Sequence, residues 1–199
     1  MPAPTIYYIR HGETEWNATG RLQGTQDVPL SERGVQQAVA AGAILKGLLA
    51  RDAREASSMP FVSSPLGRAR ATMELVRGTL GLLAEGYTAD DRLREIGYGQ
   101  WESMTLKQAE ARDPVLYARR LVDKWTVAAP GGESYAEVQA RVSDWYAQVS
   151  GATVVVAHGG TARTLMVALG FETPQSAADL YIEQGVVYVF AEGHLAKHS

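Results

Sequence analysis

Apolar positions along the chain follow two different rhythms. Short runs rich in β-branched and aromatic residues occur at 5–9, Phe61–Ser63, Thr153–Ala157 and 186–190, and each suits a buried strand. Between them the spacing becomes helical. Ser31 as N-cap with Glu32 in the first turn opens a helix on which Val35, Ala38, Val39, Gly42, Ile44, Leu45 and Leu48 would share one apolar face. Further helices are expected from Pro65 to about Leu80, from Ser134 with Val138, Val142, Trp145 and Val149 on one side, and over 161–169. Strand and helix in alternation predict an α/β fold, three layers deep, around a mostly parallel sheet whose ligand site lies beyond the strand C-terminal ends. Arg10-His11-Gly12 and His158-Gly159-Gly160 each follow an expected strand directly, so the two peptides can meet there. Residues 85–133 are less periodic, with weak helical patterns at 102–112 and Pro114–Val122. They are expected to form a helical insertion roofing the site within one domain spanning 1–199.

Composition narrows the classes. The 199 residues are 46% hydrophobic, with 19 Lys+Arg against 22 Asp+Glu and a formal charge of −3, which fits one compact domain. With no basic block, the footprint of a nucleic-acid binder is missing. Cysteine is absent, which removes thiolate nucleophiles, disulfide frameworks and Cys-type zinc sites. No window reaches the ~18 to 20 consecutive apolar residues of a membrane span. The opening run Met1-Pro2-Ala3-Pro4 lacks a basic start and an apolar stretch, so no secretory signal is expected and a cytoplasmic address is the default.

The chemistry concentrates in four segments. In Arg10-His11-Gly12-Glu13-Thr14-Glu15-Trp16-Asn17 a nucleophilic ring lies beside a guanidinium fork and small donors, an anion site in outline. Glycine lets the backbone approach closely and frees a carbonyl to accept one ring N–H, presenting the other nitrogen to a substrate. Taken alone, the tripeptide reads first as a structural histidine with a surface arginine. Three further segments change that balance. Arg68 falls in the first turn of a helix after Ser63-Ser64-Pro65, Glu95 is a carboxyl flanked by apolar residues in the insertion, and His158-Gly159-Gly160 repeats the strand-histidine-glycine arrangement. Two histidines, two arginines and one carboxyl can transfer a phosphoryl group.

These segments resemble, in order and over nearly the whole chain, the histidine phosphatase superfamily in its phosphoglycerate-mutase-like branch. Gly20-Arg21-Leu22-Gln23-Gly24, Asp27, Pro29-Leu30, Gly34 and Gln37-Ala38 match its next block. The resemblance implies that His11 becomes phosphorylated, that Arg10, Arg68 and His158 bind the phosphoryl oxygens, and that Glu95 protonates the leaving alcohol and later activates water. It also implies that Asn17 and the Gln23-Gly24 turn line the pocket, with Tyr98 and Gly159 as further substrate contacts. No metal and no cofactor are called for, because arginines and histidines supply the positive charge. The expected partner is a small phosphorylated metabolite rather than nucleic acid or membrane, and a homodimer follows only by analogy.

Phosphatase and mutase share every one of these residues. Trp101-Glu102 and Pro130-Gly131-Gly132-Glu133-Ser134 resemble phosphatase members, with Ser103 where glycine is usual; Tyr98 and the Arg119-Arg120 pair resemble the second-anion grip of mutases. An arginine pair on a polar helix face otherwise reads as solvated. A phosphatase acting on a small phosphomonoester is the favoured reading, ahead of a phosphoglycerate mutase, a non-catalytic phosphate-binding module and a metal-dependent hydrolase. Trp16, Trp101, Trp125 and Trp145 read as packing residues, Arg163 as an ion-pair or positioning residue, and His194 and His198 as part of a loose tail. No Gly-Lys-Ser/Thr follows Gly97-Tyr98-Gly99 or Gly159-Gly160, so nucleotide loops are not indicated.

Overall fold

A computed structural model describes residues 3–199; Met1 and Pro2 of the opening run lie outside the described residues. Strand β1 (Ile6–Arg10) leads through a short α1 (Glu15–Ala18) to the long α2 (Glu32–Arg51), and β2 (Phe61–Ser63) feeds α3 (Gly67–Thr79). Next come β3 (Thr88–Ala89), α4 (Leu106–Arg112), α5 (Pro114–Val122) and α6 (Tyr135–Tyr146), then β4 (Thr153–Ala157), which runs straight into α7 (Gly159–Ala168). Helix α8 (Pro174–Ala178) and the hairpin of β5 (Val187–Ala191) and β6 (His194–His198) follow.

The six strands form one sheet in the order β3-β2-β4-β1-β5-β6. The first four run parallel, while β5 is antiparallel to β1 and β6 to β5. Alternation along the central strands sorts side chains to two cores. Tyr7, Ile9, Val154 and Val156 pack on the side of α2 and α3; Ile6, Tyr8, Val155 and Ala157 pack on the side of α6, α7 and α8. Strands covered on both faces are apolar along most of their length, polar residues falling at their ends, which is why they stand out in the sequence.

Three expectations shift. The buried stripe of α2 is Ala38, Ala41, Gly42, Leu45, Leu48 and Leu49, leaving Val35 and Val39 at 40% and 44% exposure, because small residues at 38, 41 and 42 let the helix sit close to its neighbours. The 85–133 interval opens with β3, paired to β2 through Val62 and Thr88, so its first residues extend the sheet and the roof follows them. The C-terminal residues are a paired strand, not a loose tail. Glu192 and Gly193 have φ of 40° and 74°, two consecutive left-handed residues that make the tight turn a twisted hairpin needs. Backbone pairing, from Ala191↔His194 to Val187↔His198, then holds a strand too polar to announce itself. Among the described residues, no helix is long and apolar enough to cross a membrane.

This topology brings three strand ends together. Because β1 and β4 are parallel neighbours in the register Arg10↔Ala157, His11 and His158 emerge side by side, and the His11 amide still bonds Ala157 O at 2.9 Å. Ser64 after β2 bonds Val156 O at 2.9 Å. The N-terminus of α2 presses backbone to backbone on the His11 turn, where a Cβ on Gly12 would lie 2.1 Å from Gly34 O. Any side chain there would force the turn and the start of α2 apart.

Candidate active site

The cup beyond these strand ends encloses about 140 Å³. Every residue expected for the site lines it except His158: Arg10, His11, Asn17, Gln23, Gly24, Arg68, Glu95, Tyr98 and Gly159 are on the wall, joined by Arg21, Leu22 and Arg163. His158 is fully buried and set back, its ring centroid 5.1 Å from that of His11. A larger cavity of about 720 Å³ lies at the opposite ends of the strands, by Pro60 and Thr153, and holds none of these groups.

The protonation pattern of His11 follows from its neighbours. Its Nδ1 lies 2.7 Å from Gly12 O, and Arg68 Nε lies 3.3 Å from its Nε2. A guanidinium can only donate, so Nε2 is the acceptor and Nδ1 carries the proton, donated to the Gly12 carbonyl. Burial, reinforced by Arg68 and Arg10, holds the ring's pKa well below its ordinary value, with the Gly12 bond opposing. Of these causes desolvation is the largest. His158 is depressed for the same leading reason.

Arg68 sits in the first turn of α3, whose Gly67 amide is capped by Asp27 Oδ1 at 2.9 Å. Its Nη1 and Nη2 donate to Gln26 O and Gly24 O at 2.7 and 2.8 Å, so it holds the 23–26 turn while facing His11. Arg10 Nη1 donates to Ile182 O at 2.5 Å, and its buried Nε has no partner. The two amides are oriented by Thr14. Asn17 Oδ1 accepts Thr14 N–H at 3.1 Å, and Gln23 Oε1 accepts the Thr14 hydroxyl at 2.9 Å. Asn17 Nδ2 and Gln23 Nε2 are thereby left as the donors facing the cup.

Glu95 lies on the wall with its Oε1 bonded by two amides, Gly160 at 2.9 Å and Ile96 at 3.0 Å. A Cβ on Gly160 would sit 2.3 Å from that oxygen, so the second glycine after His158 is what lets the carboxylate reach the N-terminus of α7. Glu133 and Arg141 hold the segment: Glu133 Oε2 accepts Gly97 N–H at 2.9 Å, and Arg141 donates to the carbonyls of Arg92, Arg94 and Glu95. Glu102 ties roof to wall by accepting the amides of Thr25 and Tyr98. The blocks Trp101-Glu102 and Gly132-Glu133 thus brace the cup.

Sequence reasoning undervalued three residues. Of the two readings of Arg163, the structure favours positioning over an ion pair: its Nε and Nη1 donate to Leu180 O and Tyr135 Oη, and it also lines the cup. Gln184 Nε2 lies 3.1 Å from His11 O, in a loop without periodic signal. The arginine pair splits, with Arg119 exposed and Arg120 only 8% exposed. Arg120 faces the rings of Tyr98 and Tyr135, its Nε and Nη2 without partners. It lines a second cavity of about 210 Å³ that adjoins the cup through Leu22, Tyr98 and Arg163, and Trp101 forms part of that wall. Among the described residues no group of three or more His, Cys, Asp or Glu could hold a metal ion.

The histidine phosphatase superfamily (branch 1) profile matches residues 6–193. A 2,3-bisphosphoglycerate-dependent phosphoglycerate mutase of Beijerinckia indica is 32% identical over 195 residues, covering 93% of this chain and 90% of that protein. Bacillus stearothermophilus YhfR shares the fold with a TM-score of 0.76 at 32% identity, over 94% of this chain and 90% of its own. A mycobacterial glucosyl-3-phosphoglycerate phosphatase, solved with VO3, does so with a TM-score of 0.77 at 31% identity, over 94% and 90%. With the match running from β1 through the β5–β6 turn and these relatives beside it, the chain belongs to the histidine phosphatase superfamily.

Proposed function

We propose that this protein is a phosphatase that hydrolyses a small-molecule phosphomonoester through a phosphohistidine on His11. The observation that carries this reading is the fixed tautomer: Arg68 donates to Nε2, so that nitrogen holds the lone pair, and burial among cations keeps it unprotonated. In the first step the lone pair attacks phosphorus, the P–O bond to the alcohol breaks, and Glu95 gives its proton to the departing oxygen. In the second, water attacks phosphorus, Glu95 takes the water's proton, and the P–N bond breaks to release inorganic phosphate and neutral His11. Arg10, Arg68 and the amides of Asn17 and Gln23 meet the charge on the phosphoryl oxygens, and His158 Nδ1, buried without a partner, can join them. The unpartnered Arg120 beside the cup supports a leaving alcohol that carries a second anionic group.

The test is a panel of phosphorylated metabolites and a generic aryl phosphate assayed on the native protein and His11→Ala. Phosphate release should fall on the order of 10⁴-fold or more in the variant, and quenched native enzyme should carry acid-labile phosphate. Hydrolysis surviving the substitution would end the role of His11. Turnover should be indifferent to chelator; its loss would favour the metal-dependent alternative.

Arg120 also favours a second reading, a phosphoglycerate mutase, because a buried cation next to the cup could grip a second anion while the phosphoryl group is returned. The exposure of Arg119 and of Arg21 at the cup's edge supports hydrolysis instead. Isomerisation of phosphoglycerate primed by its bisphosphate, outpacing phosphate release, would reverse the preference.

A further inference from the structure

Two acceptors of the cup are served by one residue from the far end of the chain. Gln184 Nε2 lies 3.1 Å from His11 O and 3.2 Å from Asn17 Oδ1. The His11 carbonyl can only accept, which fixes the donor end of the Gln184 amide and gives each of its two hydrogens an acceptor. Asn17 Oδ1 then receives the Thr14 amide from one side and Gln184 from the other, with the Thr14 hydroxyl 3.2 Å away. Turning the Asn17 amide over would set its NH2 group against these donors.

We propose that Gln184 is a positioning residue that holds Asn17 with Nδ2 aimed at the phosphoryl oxygens and steadies the backbone of His11. The inference rests on the phosphoryl-transfer reading of the cup and deepens it. The loop that carries Gln184 is gripped by the site's own cations. Arg163 Nε donates to Leu180 O at 2.8 Å and Arg10 Nη1 to Ile182 O at 2.5 Å, while Glu183 N–H bonds Tyr188 Oη at 2.9 Å. Arg10 is therefore bound to the same loop that orients Asn17, and the oxyanion donors are preset as a group. A residue that merely latched the loop would need packing and any hydrogen bond; this role needs a donor at that atom.

The discriminating variants are Gln184→Glu, which keeps the shape but puts an acceptor where a donor is required, and Gln184→Leu, which removes the amide. Each is compared with Asn17→Ala and with the double variants. The readouts are orthovanadate affinity by titration, kcat and KM on an aryl phosphate, and Tm. For the Glu variant, vanadate affinity and kcat should both fall about tenfold or more, with KM changed less and Tm nearly unchanged; on the Asn17→Ala background the loss should shrink below about threefold. Equal losses on both backgrounds, or a fall in Tm with kcat and vanadate affinity intact, would overturn the proposal and leave Gln184 a loop latch. Native protein that binds vanadate but neither turns over nor forms phosphohistidine would sink the phosphatase reading while the affinities still decide about Gln184. Native protein that binds no vanadate would sink both.

Discussion

The floor of the cup and its roof are built on opposite terms. On the floor, the His11 ring, Arg68 and both amides are pinned by backbone or neighbouring side chains; Arg68 and the amides keep N–H donors for a ligand, while the His11 lone pair accepts from Arg68 Nε until a ligand arrives. The roof cavity has aromatic walls from Tyr98, Trp101, Tyr117 and Tyr135 around a buried Arg120 with two unpartnered nitrogens, and Leu106, Leu121 and Val122 are exposed on its helices. A floor whose side chains are pinned from behind can hold only one oxyanion geometry, which suits a chemical step common to all substrates; its own unpartnered buried atoms, Arg10 Nε and His158 Nδ1, are left for that oxyanion. A buried cation left unsatisfied is costly, and it makes sense where a ligand supplies the missing charge. On the proposed function, chemistry and selectivity would then occupy separate layers.

The strongest way to break that division is to damage each layer in turn. Arg68→Ala should lower kcat/KM for every phosphomonoester by roughly 10²- to 10³-fold, as loss of one preorganised donor commonly costs about 2.7–4 kcal/mol. Arg120→Met should instead lower kcat/KM about 10- to 100-fold only for substrates whose alcohol carries a second anion, the scale of a lost charge-assisted bond of about 1.5–3 kcal/mol, and leave a plain aryl phosphate within about twofold. Steady-state assays on the two substrate types decide it. Equal losses on both by the roof variant would merge the layers.

How much of this was legible depends on how a residue acts. The central strands and the meeting of His11, Arg68 and Glu95 in one cup were readable because apolar runs mark the strands and these residues follow strand ends or sit in dense motifs. In sequence the Arg119-Arg120 pair reads either as a second-anion grip or as a solvated face, because adjacent arginines look alike; only the packing of Tyr98 and Tyr135 around one of them separates the pair. Gln184, Arg141 and Arg163 act by donating to carbonyls distant in the chain, and a carbonyl leaves no trace in composition. Strand β6 was missed because edge pairing uses backbone, and its residues lack an apolar run.

Acidity sharpens the floor further. The native state lowers the pKa of both His11 and His158, so on the acid side of an ordinary histidine pKa, about 6.5, the unfolded chain binds more protons than the folded one. Stability conferred by the neutral rings is therefore complete above that pH and is lost progressively as pH falls below it. Tm measured from pH 8 to pH 5 should decline most below about 6.5, and His11→Gln should flatten the decline. The acid limb of kcat/KM on an aryl phosphate should lie below the ordinary histidine value, because free His11 stays neutral there. A limb at or above 6.5 would contradict the depressed nucleophile.

The smallest effect expected lies at the seam between the layers. Ser103 has φ of 70°, in the left-handed region, which costs a residue with a Cβ about 1–2 kcal/mol. Glycine there would relieve that strain but give back about 0.4–1 kcal/mol through greater freedom in the unfolded chain. Both hydrogen bonds that Ser103 makes across the seam use its backbone and not its hydroxyl: Ser103 N–H bonds Leu22 O at 2.8 Å, and Ser103 O accepts from Arg21 Nη1 at 2.8 Å. Ser103→Gly keeps both and should stabilise by up to about 1 kcal/mol, which in a chain of this length raises Tm by roughly 2–4 °C. Because Arg21 and Leu22 line the cup from this seam, the calorimetry should be paired with an assay of the aryl phosphate. Unchanged kcat/KM with a higher Tm means that the strained serine braces the layers without shaping the floor. A lower Tm would mean that the serine side chain contributes more than its backbone strain costs.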